Sequence, residues 1–267
     1  MRSLRDAPSP YSVLLAAIVV IIMSAPNLVF LAIDRAIDIP MDPDRSASQA
    51  ELIFGLVVAL VLQLIIFVVA LVPLMIRRRL DRRLFGPSQP TGSWLALGFG
   101  VASGVAALFA VVITNFVIAL TGALEDPVEQ QLLQDALAGG AALVLAVVIA
   151  VLVAPIVEEV VFRGILFRAL GDRMGVWGAA IVSSAVFALI HVEVLLSQPF
   201  GLVGLFVVGL VLALAYQWTG NLLVPILGHA VFNGAMIGLA LAIERLGLEE
   251  LMEQAASIAM RLVVVLG

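Results

Sequence analysis

The sequence contains no cysteine and has few charged residues for its length. The absence of cysteine excludes disulfides, thiolate metal ligands and cysteine nucleophiles. Charged residues make up 12 % of the 267 residues, whereas soluble domains have about 25 %. With 63 % apolar residues and a mean hydropathy of +1.19, too few polar side chains remain to cover a surface that faces water. The composition excludes a soluble enzyme and a disordered chain, and it indicates a protein that uses lipid as part of its solvent.

Lysine is also absent, so all 14 basic residues are arginines, and no sustained basic patch indicates nucleic-acid binding. Most arginines lie in the segments between apolar stretches, and these arginine-bearing segments alternate along the chain with acidic ones. The positive-inside rule predicts a cytoplasmic N-terminus and a cytoplasmic position for the arginine-rich loops. The arginines on that side are Arg2, Arg5, Arg77, Arg78, Arg79, Arg82, Arg83, Arg163, Arg168 and Arg173.

Seven windows approach the ~20 apolar residues that a spanning helix needs, and none alternates like a barrel strand. They are residues 11–33, 52–76, 94–120, 141–157 with an extension, 176–191, 201–218 and 222–243. We expect an all-α, polytopic transmembrane bundle that forms one integral membrane domain, 1–267. Residues 244–267 fit an amphipathic helix in the interface. An eighth crossing that uses residues 262–266 is the alternative.

Glycines in the third window resemble part of a nucleotide-binding fingerprint. Gly98, Gly100 and Gly104 have no preceding strand, however, and they lie inside an apolar helix. We interpret them as sites of close helix packing.

Charged residues interrupt the extension of the fourth window. A charge at the bilayer centre costs ~2.5–3.5 kcal/mol, so such residues usually face the bundle interior and serve function. Glu159 and Arg163 are four residues apart and can pair on one helix face. Glu158 points about 100° away and is left for chemistry, and Pro155 is predicted to kink the helix one turn earlier. The alternative is that both acids mark a helix end at the headgroups.

The only two histidines, His191 and His229, lie in or at the end of later apolar windows. His229 and Asn233 are four residues apart and share a helix face. If residues 171–175 form a hairpin turn, Glu158 lies ~20 Å and His191 ~24 Å from it, which permits a single site. The alternatives are a buried core role for each histidine and an interhelical hydrogen bond for Asn233.

Three short motifs in order, Glu158-Glu159-x-x-x-Arg163, Phe187-x-x-x-His191 and His229-x-x-x-Asn233, resemble the CPBP family of CAAX-type, Abi and bacteriocin-processing intramembrane endopeptidases. The resemblance implies a catalytic core in residues 141–243, whereas residues 1–140 carry no motif. It implies that Glu158 activates a water held also by His191. In the same reading His229 and Asn233 stabilise the oxyanion and Arg163 fixes Glu159, although the two glutamates could exchange roles.

The expected function is therefore peptide-bond hydrolysis in membrane-embedded or lipidated (CAAX-type) substrates, in a prokaryotic inner membrane. We expect no cofactor, and a zinc set of Glu158, His191 and His229 is the alternative. Two other functions remain open. One is a proton-coupled transporter or channel, which also uses intramembrane acids and histidines, and the other is a non-catalytic protein of the bacteriocin-immunity type.

Overall fold

The computed structural model describes residues 11–36, 48–76, 93–121, 140–191 and 199–248. All regular structure in these ranges is helical, as predicted. The helices are α1 (Val13–Ala36), α2 (Gln49–Ile76), α3 (Ser93–Leu120), a continuous stretch Gly140–Leu189, α6 (Gly201–Thr219) and α7 (Leu223–Leu246). Most of the arginine-rich loops and nearly all of the predicted interface helix lie outside the described residues.

The stretch Gly140–Leu189 is a helical hairpin that turns at Gly175. This glycine has φ 73° and ψ 179°, a left-handed φ that residues with a side chain rarely adopt. It separates α4 (residues 140–174) from α5 (residues 176–189). The rings of Phe162 and Phe187 meet edge to face at 5.2 Å, on opposite sides of the turn, so the two arms lie side by side. The predicted turn is therefore present, but it is shorter than residues 171–175, because helix α4 continues to residue 174.

Two π-helical segments flank the glutamates of α4. They are Ile149–Val153 and Val160–Phe167, with the α-helical segment Ala154–Glu159 between them. Pro155 has no N–H to donate, and it follows the first of these wide turns directly. The sequence predicted a kink at Pro155 and not these π-helical segments, which are a form of irregularity common near functional sites.

The described helices have the length and composition of a membrane protein. Five segments are long and apolar enough to cross a bilayer, one of them the whole hairpin Gly140–Leu189, and Val13–Ser24 is a shorter apolar helix. Large apolar side chains cover the outside of α2 and α3, for example Phe54 (71 % exposed) and Phe109 (66 % exposed). Such a surface needs lipid around it, so the chain is an integral membrane protein.

The main hydrophobic core surrounds α4. Phe162 and Ile165 of α4 are buried together with Ala16 and Val19 of α1 and Ala213 of α6. Helix α3 packs closely against α7 at Gly100 and Gly104, as the glycine pattern predicted, whereas a Cβ on Gly98 would meet nothing within 4 Å. A Cβ on Gly104 would lie 2.6 Å from the carbonyl oxygen of Gly228, one residue before His229.

Candidate active site

Glu159 is the centre of a buried polar cluster. Its Oε1 accepts a hydrogen bond from Arg163 Nη1 at 2.8 Å and lies 2.9 Å from Nδ1 of His229. The three residues are 0 %, 1 % and 4 % exposed, respectively. Taking charges out of water is costly unless they are paired and hydrogen-bonded, and here each charge has a partner. The predicted Glu159–Arg163 pair is present, and His229 joins it from a helix 70 residues later.

Arg163 links three helices of the bundle. Its Nη2 donates a hydrogen bond to the carbonyl oxygen of Gly209 on α6 at 2.8 Å. Its guanidinium carbon lies 4.9 Å from the ring centroid of Phe187 on α5, within the range of a cation–π contact. These contacts fix the guanidinium that holds Glu159, so the position of Glu159 depends on α5 and α6 as well as on α4.

Glu158 has different surroundings from its neighbour. Its side chain is 13 % exposed, and Oε2 lies 3.9 Å from Nε2 of His229, which is too long for a hydrogen bond. His229 therefore stands between the two carboxylates, with Nδ1 engaged by Glu159 and Nε2 directed to the Glu158 side. Of the two glutamates, Glu158 is the one whose side chain is not fully buried.

His191 reaches this cluster through Phe187. Its Nδ1 lies 2.8 Å from the carbonyl oxygen of Phe187, one turn earlier in the chain. A carbonyl only accepts, so Nδ1 carries the hydrogen, and in the neutral ring Nε2 is the acceptor. The ring of Phe187 lies edge to face with His191 at 5.0 Å and with His229 at 5.8 Å. The structure thus brings both histidines to one phenyl ring.

Asn233 makes a contact that the sequence did not predict in detail. Its Nδ2 donates to the carbonyl oxygen of Ala150 at 2.8 Å. Ala150 lies in the first π-helical segment of α4, so this bond ties α7 to the wide turn that precedes the glutamates. An amide nitrogen has two hydrogens, and one of them is used here.

The alternative zinc set does not fit the described geometry. Within the described ranges, no group of three or more histidine and acidic residues could hold a metal ion. We derive no step through a metal.

Three contributors to the cluster were missed by the sequence analysis. Phe187 was quoted within a motif but was given no role, although its position four residues before His191 places it on the same face. Gly209 and Ala150 contribute backbone carbonyls. Every residue has a carbonyl, so no sequence signal could have identified these two.

A buried cluster of carboxylate, imidazole and guanidinium groups inside an apolar helical bundle is typical of membrane proteins that do chemistry or move protons within the bilayer. Residues 140–235 match the family model of the type II CAAX prenyl endopeptidases, described as Rce1-like. All six predicted site residues lie in the matched segment. The resemblance to CAAX-type endopeptidases is thereby confirmed. No curated protein and no solved structure matched the chain.

Proposed function

We propose that the protein is an intramembrane endopeptidase that cleaves membrane-embedded or lipidated, CAAX-type, protein substrates with a water activated by a glutamate. One observation carries the proposal. Two adjacent glutamates have separate surroundings, since Glu159 is held by Arg163 and His229 while Glu158 keeps partial exposure beside His229. A hydrolase needs such a division, because a carboxylate committed to an ion pair is a poor proton acceptor.

In this mechanism Glu158 is the general base. It takes a proton from a water molecule as the water oxygen attacks the scissile carbonyl carbon, and it returns the proton to the leaving amine. His191 is proposed to hold the same water through Nε2, because its Nδ1 is occupied by the carbonyl of Phe187. The proposed mechanism uses the carboxylate as the base and no metal.

The negative charge that develops on the substrate oxygen needs hydrogen-bond donors. We assign this role to Nε2 of His229, when the ring carries its second proton, and to the second N–H of Asn233. The contacts of Nδ1 with Glu159 and of Nδ2 with Ala150 support the assignment, because they hold both groups in place before substrate binds. A donor of this kind contributes ~2.7–4 kcal/mol to catalysis.

The location of the reaction follows from the arginine distribution. We place the protein in the inner membrane of a prokaryote with its N-terminus in the cytoplasm. In this orientation the α4–α5 turn, with Arg173 beside it, faces the cytoplasm. A substrate with a lipid anchor in the inner leaflet would then approach from the cytoplasmic side.

The test is cleavage of a prenylated CAAX peptide with a fluorophore and a quencher in proteoliposomes. We expect Glu158→Gln to lower kcat by at least about a hundredfold, because general-base catalysis contributes 10²–10⁴. Glu244→Gln, at an exposed position near the end of α7, is the matched control and should cleave at the wild-type rate. EDTA should leave the rate unchanged, since the proposed mechanism uses no metal.

Two outcomes would contradict the proposal. Cleavage by folded Glu158→Gln at the rate of the wild type would exclude Glu158 as the base. A proton flux across the liposome membrane that depends on Glu158, in the absence of any cleavage of prenylated, unprenylated or membrane-embedded peptides, would favour a transporter instead.

A further inference from the structure

The hydrogen bond from Arg163 to Gly209 joins the site to a helix that supplies none of the predicted site residues. Arg163 lies on α4, and Nη2 donates at 2.8 Å to a carbonyl of α6. A carbonyl oxygen has two lone pairs, so it can accept this bond in addition to the one from its own helix. From Gly209 the contacts run through Arg163 to Glu159, and from Glu159 to His229.

Gly209 is also a point of close approach between α6 and α5. A Cβ built at this position would lie 3.0 Å from Cβ, 3.2 Å from Cα and 3.2 Å from Oγ of Ser184. Both residues are buried, and Ser184 lies within a regular helix, so its Cα cannot move without the helix. A methyl group here would push α6 and α5 apart by a few tenths of an ångström and carry the Gly209 carbonyl away from Arg163.

We infer that Gly209 is a positioning residue of the site: its lack of a side chain lets α6 approach α5 closely enough for its carbonyl to hold Arg163, and through Arg163 and Glu159 to orient His229. The inference rests on the proposed function only for its effect on rate. The predicted change in the environment of His229 does not depend on what the protein cleaves.

The test combines a size exchange with two readouts. We expect Gly209→Ala to lower kcat about tenfold with little change in KM, because displacements well below 1 Å at a reacting group cost less than the 10² known for 1 Å. Ser184→Gly in the same chain removes Cβ and Oγ, two of the three atoms that the methyl meets, and leaves Cα at 3.2 Å. The double variant should therefore recover most of the lost activity, with kcat within about threefold of the wild type.

The second readout uses the only two histidines of the chain. With ¹⁵N-labelled histidine, the protein in lipid nanodiscs gives two sets of imidazole resonances. The variant His191→Gln removes one set and thereby assigns both. Gly209→Ala should shift the Nδ1 resonance of His229, and the double variant should restore it.

Two controls isolate the contact. Gly204→Ala, on the same helix, would place a Cβ no closer than 3.9 Å to its neighbours and should leave both readouts unchanged. Ser184→Ala removes a hydroxyl that has no hydrogen-bond partner among the described residues, and it should also behave as the wild type.

The outcomes separate the two proposals. A wild-type protein that cleaves no substrate contradicts the proposed function, while the His229 resonance still tests the positioning role. A folded Gly209→Ala variant with wild-type kcat and an unshifted His229 resonance overturns the positioning role. If Gly209→Ala does not fold, the double variant decides, and a folded double variant with low kcat and a shifted resonance also overturns it.

Discussion

At the scale of single residues, the main result is that one step along a helix gives two identical side chains different surroundings. Successive residues of a helix are rotated by about 100°. Glu159 therefore points into the bundle, where Arg163 and His229 bind it, while Glu158 lies at the edge of the same cluster with a side chain that is 13 % exposed. Stability and chemistry can thus be assigned to different members of one pair.

This division predicts unequal losses of stability for two variants that each remove one carboxylate charge. Glu159→Gln leaves the buried guanidinium of Arg163 without its counter-charge, and removing one partner of a buried pair costs about 3–5 kcal/mol. Glu158→Gln removes a carboxylate that lies 3.9 Å from His229 Nε2, beyond hydrogen-bond distance, so we expect a change below about 1 kcal/mol. The free energy of unfolding in mixed micelles measures both. Equal losses in the two variants would show that the glutamates share one structural role.

The sequence predicted the local part of this cluster and not the rest. The Glu159–Arg163 pair follows from a spacing of four residues. The contact of His229 with Glu159 spans 70 residues, and that of Asn233 with Ala150 spans 83. Such pairs depend on how the helices pack, and spacing along the chain carries no information about them. The depth estimate for Glu158 and His191 used only the direct connection of α4 and α5, because a helical rise then sets both positions along the hairpin.

At the scale of helices, the lengths of the apolar stretches predicted the helices well, whereas irregularities of the helix backbone were predicted poorly. The π-helical segments in α4 went unpredicted because a wide turn needs no particular composition. Pro225, four residues before His229, lies in the first turn of an uninterrupted helix. The first turn has no intrahelical partner for its N–H groups, so proline is tolerated there.

The glycines of α3 provide a test of packing at this scale. Gly104→Ala would place a methyl 2.6 Å from the backbone oxygen of Gly228 and 2.7 Å from Val231 Cβ. Overpacking of this kind costs about 1–3 kcal/mol, and we expect a lower melting temperature. Gly98→Ala, on the same helix, meets nothing within 4 Å and should be neutral. If both variants melt together with the wild type, the close approach of α3 and α7 is not what holds this interface.

At the scale of the whole molecule, the matched family segment does not stand alone. Residues 140–235 match the family model, but Ala16 and Val19 of α1 belong to the core around α4, and α3 packs against α7 beside His229. The helices without a motif therefore complete the packing around those that carry the motifs.

The sides of the membrane on which the later loops lie depend on whether α5 crosses it. Its 14 residues (176–189) span only ~21 Å, less than the ~30 Å of a hydrocarbon core. If α5, α6 and α7 each cross, Arg173 and Glu244 lie on opposite sides of the membrane. Both are exposed, and the chain has no cysteine of its own. A membrane-impermeant maleimide should therefore label Glu244→Cys in intact cells and Arg173→Cys only after permeabilisation. Labelling of both variants from the same side would mean that α5 does not cross the bilayer.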